Sequence, residues 1–282
     1  MVLIKCPACN SIIFKKLFAI DEYFVERCKS CHLARLTPMP TLMQLYEHYS
    51  SRSEGGNYSL DIAKLRDPSL RFLYEKIKKN VTSQYNSWLD IGCFDGGLLN
   101  IAKTDRYTTY GIEMQESAVT VARQIHGYDN IVLSDSFLGY FAEKSMGVVS
   151  AISVIEHLLQ PEEIFIAANS YLANDGILII QAPIITSFPG KLLGSYWPCF
   201  SAPEHTYYFS DAAMKLMANN NEFRVIKTYS HIKKLPLSYG FNQLKYFGKK
   251  LYNITSWLRK TLPGNITVPV YIGEKIFIFK KI

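Results

Sequence analysis

The feature that most constrains the fold is an alternation of short apolar runs with helix-length segments, which begins at Ser87. Such an alternation indicates strands that lie parallel in one sheet with helices packed on both of its faces. Two further apolar runs near the carboxyl terminus bring the predicted strands to seven, so we expect an open α/β sandwich. The predicted strands lie at residues 88–91, 108–113, 131–133, 148–153, 176–181, 224–229 and 275–280.

The composition is that of a folded protein. The chain has 282 residues, of which 48% are hydrophobic and 20% are charged. A chain of this size buries roughly 70 to 75% of its extended surface, so it can form a core without disulfides. No apolar run reaches the roughly 18 residues of a membrane span, and the first apolar run is too short for a signal peptide. We therefore expect a cytoplasmic protein with a small module at residues 1–38, a helical linker at 39–85 and a core at 86–282.

Four of the six cysteines form two CxxC pairs, Cys6 with Cys9 and Cys28 with Cys31, and 18 residues separate the pairs. This spacing is typical of a zinc ribbon, because a two-residue gap lets both thiolates reach one tetrahedral ion from a tight turn. Four protein ligands leave no open coordination position, so we expect the Zn²⁺ to be structural. The second pair also matches the CxxCH pattern of haem attachment, and disulfides are another alternative, but neither suits a reducing compartment.

Two helices are predicted in the linker. Leu42, Leu45, Tyr46 and Tyr49 follow helical spacing, and a second helix fits residues 67–81. The polar run at residues 50–57 between them is predicted to be a flexible loop.

A glycine-containing turn follows the first predicted strand of the sheet and carries Asp90, Gly92 and Gly96. Glycine lets the backbone approach a ligand closely, and the amino terminus of the next helix favours polar acceptors. Glu113 ends the second strand, 21 residues after Gly92, where a carboxylate can hold both hydroxyls of a ribose. Because the turn lacks the GxGxxG spacing of dinucleotide-binding proteins, an adenosine without a pyrophosphate fits better.

These residues resemble the class I S-adenosylmethionine-dependent methyltransferases, and the resemblance extends over about two thirds of the chain. Asp90, Gly92 and Gly96 are similar to their first motif, and residues 154–161 and 172–183 resemble the motifs of their fourth and fifth strands. Residues 197–210 resemble a subfamily that contains ubiquinone-pathway O-methyltransferases and many sugar and polysaccharide methyltransferases. An amino-terminal CxxC ribbon also occurs in deoxysugar C-methyltransferases. The sequence departs from the family at Phe94, where a glycine is usual.

The resemblance implies a seven-stranded, Rossmann-like methyltransferase sandwich that binds S-adenosylmethionine. The expected cofactor-binding residues lie in the turn and at the strand ends beside it: Asp90, Gly92, Phe94, Gly96, Glu113, Met114, Asp135, Ser136 and Ser153. His157 and His205 are the candidate bases, since a hydroxyl or carbon acceptor must lose a proton, although each could instead have a structural role. Glu156 could orient a histidine or, as in the ubiquinone-pathway enzymes, help bind a divalent ion. Ser153 stands where those enzymes carry another carboxylate.

The segment from Phe241 to Leu262 holds five basic residues and no acidic residue, within a chain of formal net charge +7. Its apolar residues follow helical spacing, which predicts an amphipathic helix inserted at about residues 240–264. Such a helix could pack as a lid or as the face of a homo-oligomer. It could also contact an anionic nucleotide-sugar, a lipid-linked glycan, a membrane surface or RNA.

We therefore expect a methyltransferase that acts on a small-molecule or carbohydrate acceptor, such as a nucleotide-sugar or a surface-polysaccharide precursor. One alternative is an RNA base methyltransferase, because some rRNA guanine methyltransferases also join a zinc module to this core. The amino-terminal module argues against it, since it is nearly neutral: residues 5–35 hold six basic residues against three acidic ones and contain no arginine-rich run. The other alternative is a catalytically silent scaffold that binds S-adenosylmethionine, which Phe94 and Ser153 make conceivable.

Overall fold

The computed structural model describes residues 5–55, 60–128, 130–236 and 267–282. The amphipathic segment predicted at residues 241–262 lies outside the described residues. Of the helices in the described ranges, none is both long enough and apolar enough to cross a membrane.

Seven of the described strands form one sheet. From one edge to the other they are β10 (Phe223–Ser230), β13 (Glu274–Lys281), β8 (Leu172–Pro183), β7 (Met146–Ile152), β4 (Ser87–Ile91), β5 (Thr108–Glu113) and β6 (Ile131–Leu133). Each of the seven predicted strands is confirmed. The apolar runs of the inner strands are buried by helices on both faces, whereas most residues of β10, at one edge, are exposed or half-buried.

The last strand of the chain, whose direction the sequence did not predict, runs against the others in the main sheet. β13 runs antiparallel to both of its neighbours, β8 and β10, whereas the other pairs are parallel. The reason lies in its connection, since β13 starts beside the end of β10, where Ser230 pairs with Lys275. A parallel strand would have to start at the opposite edge of the sheet, after a crossover.

Helices cover both faces of the sheet and divide the core into two parts. The helices are α2 (Leu60–Ile77), α3 (Gly97–Thr104), α4 (Glu116–His126), α5 (Glu163–Tyr171) and α7 (Asp211–Asn220). In β4, Leu89 and Ile91 pack under α5 and α7, whereas Trp88 packs under α2, α3 and α4, as the alternation of side chains along a strand requires. This packing confirms the expected α/β sandwich.

The amino-terminal residues form a second, antiparallel sheet. Its described strands are β1 (Phe14–Ile20), β2 (Tyr23–Cys28), β3 (Ala34–Thr37) and β9 (Tyr207–Tyr208). β9 belongs to the carboxyl-terminal half of the chain, and its Tyr208 pairs with Ala34 of β3. The Ser210 hydroxyl, just before the helix at Asp211–Asn220, donates to the Cys31 carbonyl oxygen at 2.5 Å, so the start of that helix is tied to the segment that carries the cysteines.

The linker is more helical than the sequence predicts. α1 (Leu42–Gly55) continues through residues 50–55, so the predicted loop is wrong there, because serine, arginine and glutamate lower helix propensity only slightly. α2 begins at Leu60 instead of residue 67 and includes Pro68. A proline inside a helix costs about 3 kcal/mol. The burial of Leu73 and Tyr74 against the core offsets that cost.

Two smaller features lie between the main elements near the carboxyl edge of the sheet. A short helix, α6 (Phe188–Leu193), follows β8, and a two-stranded ladder joins β11 (Lys233–Pro236) to β12 (Thr267–Val270). A single 3-10 turn, Ile155–His157, follows β7 and carries two of the candidate catalytic residues.

Candidate active site

A cavity of about 500 Å³ opens at the carboxyl ends of β4, β5 and β7. This is the edge at which open α/β sheets bind ligands, and the volume is in the range of small-molecule sites. The opposite wall comes from α1, which contributes Leu42, Leu45, Tyr46 and Tyr49. The cavity therefore lies between the sheet and the helix that follows the amino-terminal module.

The turn after β4 places Gly92 and Phe94 in the cavity wall. Gly92 has a φ of 68°, a conformation that favours glycine, and its N–H donates to the Ile112 carbonyl oxygen at 2.8 Å. A Cβ atom at this position would lie 2.5 Å from Cγ2 of Val154, so packing also requires glycine here. Phe94 is left-handed as well, with a φ of 53°. The backbone thus adopts a glycine-like conformation at Phe94 in spite of the side chain.

The Glu113 carboxylate is held in the cavity wall by backbone donors. Its Oε2 accepts the Phe94 N–H at 2.8 Å, and its Oε1 accepts the N–H groups of Met114 and Gln115, each at 2.8 Å. The side chain is buried, and these bonds fix its orientation. Because one of the donors belongs to the turn after β4, Glu113 also holds that turn in place.

The other predicted cofactor residues divide into two groups. Met114, Asp135 and Ser153 line the cavity together with Gly92, Phe94 and Glu113. Asp90, Gly96 and Ser136 are not part of the described cavity wall.

Asp90 joins neighbouring strands of the sheet instead, and Gly96 shapes the end of the turn. The Asp90 carboxylate is buried and accepts the Ser150 hydroxyl at 2.5 Å, and Ser150 in turn accepts the Trp88 indole N–H. Gly96 is left-handed, with a φ of 71°, and begins α3. A side chain there would approach the ring of Tyr128 at 3.1 Å.

The candidate bases, His157 and His205, meet edge to face with their ring centroids 4.7 Å apart. The Nδ1 of His157 lies 3.1 Å from the Glu204 carbonyl oxygen, and the Nδ1 of His205 lies 2.8 Å from the Cys199 carbonyl oxygen. A carbonyl oxygen can only accept, so we assign the proton of each neutral ring to Nδ1 and the lone pair to Nε2. His157 lines the cavity, whereas His205 packs on His157 outside the cavity wall.

Glu156 is buried beside the two histidines, with 1% of its surface exposed. Burial raises the pKa of its carboxyl to about 8, because the charged form loses its hydration. Its Oε2 has no hydrogen-bond partner among the described residues. The ligand atoms of Glu156, His157 and His205 lie within 4.8 Å of one another, so the three groups could share a proton or a divalent ion.

Two tyrosines that the sequence interpretation treated only as helix residues belong to the site. The Tyr46 hydroxyl donates to Asp135 at 2.5 Å, and the Tyr49 hydroxyl lies 3.1 Å from Nδ1 of His157. The helical spacing of these tyrosines was visible in the sequence, but nothing local indicated that their hydroxyls reach residues far along the chain. α1 therefore contacts both ends of the cavity.

The four predicted zinc ligands form one cluster, in which the sulfur atoms lie within 4.8 Å of one another. The Sγ atoms of Cys6 and Cys31 are 3.4 Å apart, and those of Cys9 and Cys28 are 3.5 Å apart. These distances are much longer than a disulfide bond of about 2.05 Å. They are close to the separation of about 3.8 Å expected between sulfurs around a tetrahedral ion with bonds of about 2.3 Å.

The residues between the cluster and the histidines form a continuous path. The Leu36 N–H of β3 donates to the Thr206 carbonyl oxygen at 3.0 Å. Thr206, which follows His205, donates from its hydroxyl to the carbonyl oxygens of Glu156 at 3.0 Å and Leu158 at 2.8 Å. The amino-terminal sheet thus supports the segments that carry both histidines.

Comparison with known proteins agrees with this arrangement. Residues 61–228, more than half of the chain, match the model of a family described as a methyltransferase domain. No curated protein matches the sequence.

Solved structures show the same fold. One is an S-adenosylmethionine-dependent methyltransferase from Thermotoga maritima, described as a possible histamine N-methyltransferase. It is 15% identical in sequence and superposes with a TM-score of 0.54 over 86% of this chain and 100% of its own. One from Archaeoglobus fulgidus is 17% identical, with a TM-score of 0.50 over 75% of this chain and 94% of its own. A chain from the complex between the Haloferax volcanii Trm112 methyltransferase activator and a methyltransferase is 11% identical, with a TM-score of 0.57 over 86% of this chain and 97% of its own.

Proposed function

Because the chain belongs to the methyltransferase-domain family, whose cofactor is S-adenosylmethionine, we propose that it transfers a methyl group to a small-molecule or carbohydrate acceptor such as a nucleotide-sugar. The observation that carries this proposal is the cavity that has Glu113 on one side and His157 on the other. Near His157 the wall contains Tyr49, Gln160 and Glu204. A phenol, an amide and a carboxylate are suitable partners for an acceptor rich in hydroxyl groups.

The residues of the cavity fit the cofactor. The orientation of the Glu113 carboxylate is already fixed by three N–H donors, which suits a group that has to accept hydrogen bonds from ribose hydroxyls. Met114, Phe137 and Leu158 supply apolar surface in the same wall, against which a flat purine could pack. When bound, the cofactor supplies a methyl group activated by its positively charged sulfur. The chain then has to align the acceptor and, for a hydroxyl or carbon acid, remove a proton.

We propose that His157 is the base and that His205 positions it. His157 lines the cavity, and the Glu204 carbonyl oxygen favours the tautomer whose lone pair is on Nε2. His205 packs against the His157 ring, and its own Nδ1 is oriented by the Cys199 carbonyl oxygen. Removal of His157 should therefore lower the rate of the chemical step directly, whereas removal of His205 should lower it through the orientation of His157.

We also propose that the four clustered cysteines bind a structural Zn²⁺. Four thiolates are a preferred donor set for this ion, and a module of about 30 residues is too small to form a stable core of its own. The path from β3 through Thr206 to Glu156 supports a role for the ion in ordering the catalytic segments. In this proposal the module is a support for the site and takes no part in the chemistry.

The first experiment is calorimetric titration of the zinc-loaded protein with S-adenosylmethionine and S-adenosylhomocysteine, with NAD as the control ligand. Micromolar binding of the first two and no binding of NAD is the expected result. Nucleotide-sugars are then screened for methyl acceptance by mass spectrometry, with rRNA fragments as the comparison. If the protein binds the cofactor but methylates only RNA, the acceptor class proposed here is wrong.

The role of the histidines is tested with His157→Ala and His205→Ala in the same assay. We expect turnover to fall on the order of 100-fold in the first variant, the usual contribution of a general base, and by less in the second. The affinity for S-adenosylhomocysteine should change little in either, since His157 follows β7, two strands away from Glu113 at the end of β5. Full activity of His157→Ala would exclude it as the base.

A further inference from the structure

The residues of the cavity wall that are charged at neutral pH are acidic. Among the described wall residues they are Glu113, Asp135, Glu163 and Glu204, and none of the described wall residues is a lysine or an arginine. The chain as a whole has the opposite balance, with 31 basic residues against 24 acidic ones. A cleft lined by charges of one sign concentrates ligands of the other sign, so this cavity favours a cation.

The four acids divide between the two ends of the cavity. Glu113 ends β5, and Asp135 follows β6, the neighbouring strand. Glu163 begins α5, shortly after His157, and Glu204 contacts His157 directly. The proposed position of the ribose accounts for the acid on β5, whereas the two acids beside His157 lie where the acceptor has to bind.

Glu204 is held next to the proposed base. Its carbonyl oxygen lies 3.1 Å from Nδ1 of His157, and 19% of its side chain is exposed. Its Oε2 accepts the Ser201 hydroxyl at 3.2 Å and lies 4.0 Å from Nε2 of His48. These contacts orient the carboxylate at the end of the cavity where a proton is removed.

Two further carboxyl groups show that the potential at this end is negative. Burial raises the pKa of Glu156 to about 8, and the charges of Glu274 and Glu204 act in the same direction. Burial also raises the pKa of Glu163, and the neighbouring Glu162 adds to that effect. Where carboxyl groups resist ionisation in this way, additional negative charge is disfavoured and a cation is stabilised. A phosphate group of an acceptor would therefore be repelled from this end.

The charge of the cofactor explains why such a wall is needed. A cationic acceptor has to approach the positively charged sulfur of S-adenosylmethionine, and two like charges repel strongly where water is excluded. Carboxylates beside His157 would offset this repulsion. A neutral hydroxyl acceptor needs no such compensation, so the acidic wall favours an amine over an alcohol.

We propose that the methyl-accepting atom is the nitrogen of a primary amine, which Glu204 binds as the ammonium and His157 deprotonates. This inference rests on the proposed function and narrows it to amino sugars and related small amines. If the amino sugar is linked to a nucleotide, the diphosphate lies outside the cavity, and the remaining hydroxyl groups face Tyr49 and Gln160.

The reaction balances with these residues. The ammonium gives one proton to Nε2 of His157, and the nitrogen lone pair that this frees forms the N–C bond. The S–C bond breaks with its electron pair going to sulfur, which leaves S-adenosylhomocysteine. The proton on His157 then passes to solvent.

The first test compares amines with their hydroxyl counterparts. Glucosamine and its isomers with the amine on other ring carbons are paired with glucose, phenylethylamine is paired with phenylethanol, and glucosamine phosphate serves as the anionic version. Each is incubated with the protein and S-adenosylmethionine, and mass spectrometry identifies the methylated atom. We expect N-methylation of amines, none of the hydroxyl counterparts, and a higher KM for the phosphate than for glucosamine.

The second test replaces the carboxylate. Glu204→Gln keeps the volume of the side chain and an oxygen for the Ser201 hydroxyl, and Glu143→Gln, at an exposed position outside the cavity wall, is the matched control. We expect KM for the amine to rise about 10-fold in Glu204→Gln, as loss of a hydrogen bond to a charged group predicts, with kcat and the affinity for S-adenosylhomocysteine nearly unchanged. Added salt should raise KM in the wild-type protein and much less in this variant.

The outcomes separate this inference from the proposed function. Methylation of the neutral sugars but of no amine would overturn the inference and leave the proposed function standing. An unchanged KM for the amine in Glu204→Gln would overturn the role of that carboxylate. If no member of either panel were methylated by protein that binds S-adenosylhomocysteine, the amine acceptor would be wrong. Failure to bind S-adenosylhomocysteine at all would remove the cofactor assignment and this inference with it.

Discussion

Replacement of Glu113 by glutamine tests the proposed position of the ribose most directly. In the wild-type protein the carboxylate accepts three backbone N–H groups, one of which belongs to Phe94 in the turn after β4. A glutamine can keep its oxygen towards Met114 and Gln115, but its NH₂ group then faces the Phe94 N–H, and two donors oppose each other. The substitution preserves the volume of the side chain, so packing is retained while the charge and one acceptor are lost.

The expected cost has two parts. Loss of a hydrogen bond from a ribose hydroxyl to a charged acceptor costs about 1.5–3 kcal/mol, and an unsatisfied buried N–H costs about 1–3 kcal/mol. The turn can relax in part, so we take a total of about 3 kcal/mol, which lowers the affinity for S-adenosylhomocysteine on the order of 100-fold. Part of the second cost should also appear as a lower free energy of unfolding, since the unsatisfied Phe94 N–H destabilises the turn of the variant even when no ligand is bound.

Calorimetric titration with S-adenosylhomocysteine measures the affinity, and chemical denaturation measures the free energy of unfolding. Glu116→Gln is the matched control, because it removes the same charge from an exposed position three residues further on. Affinities of Glu113→Gln and Glu116→Gln that agree within about threefold would refute the assignment of Glu113 to the ribose.

Three further substitutions test the turn, the buried carboxyl and the metal cluster. Gly92→Ala should lose cofactor binding, since its Cβ atom would lie 2.5 Å from Val154. Gly127→Ala is the control, because this residue has a φ of 62° and nothing within 4 Å of the added Cβ atom, so it should show only the backbone strain. Equal losses of cofactor affinity in the two variants would show that the clash is unimportant. The pKa of Glu156 is about 8 in the folded protein and 4.5 for an ordinary glutamate, so the folded state holds this proton more tightly and the free energy of unfolding should fall as pH rises through this window. Glu156 should contribute at most about 1.4 kcal/mol per pH unit to the slope of the free energy of unfolding against pH, and this contribution should be absent in Glu156→Gln when denaturation is followed at several pH values. An identical slope in the variant and the wild-type protein would contradict the raised pKa of Glu156. Cys28→Ser should lose zinc by elemental analysis and lower turnover more than the affinity for S-adenosylhomocysteine, with Ser30→Ala as the exposed control; a variant that keeps its zinc would remove the metal assignment.

Local patterns were sufficient for most of the sheet. All seven strands were predicted within a few residues. For the inner strands the reason is that a strand buried on both faces has to be a short apolar run bounded by polar connections. The glycine-containing turn and the acid at the end of β5 were also readable, since close backbone approach and a fixed strand spacing restrict the residue types there. The CxxC spacing predicted that the four cysteines would lie together, and they do.

The parts of the site that join distant segments depended on the tertiary structure. Tyr46 meets Asp135 across 89 positions and Tyr49 meets His157 across 108 positions, and helical spacing carries no information about such partners. The amino-terminal sheet is completed by β9 from the far half of the chain, and β13 enters the main sheet in the reverse direction. Hydrogen bonds that link Ser153 to Gln181, Gln181 to Glu274 and Glu274 to Lys233 likewise join four separate segments.

The physical reason for this division is the range of the interactions involved. Periodicity, turn propensity and ligand spacing act between residues that are close in sequence, so one stretch of chain is enough to reveal them. The tautomers of the two histidines and the burial of Glu156 are set by atoms that only folding brings near. The sequence by itself therefore determined the sheet, the cysteine cluster and the residue types at the cofactor edge, whereas the tertiary structure decided how those residues are oriented and which of them act together.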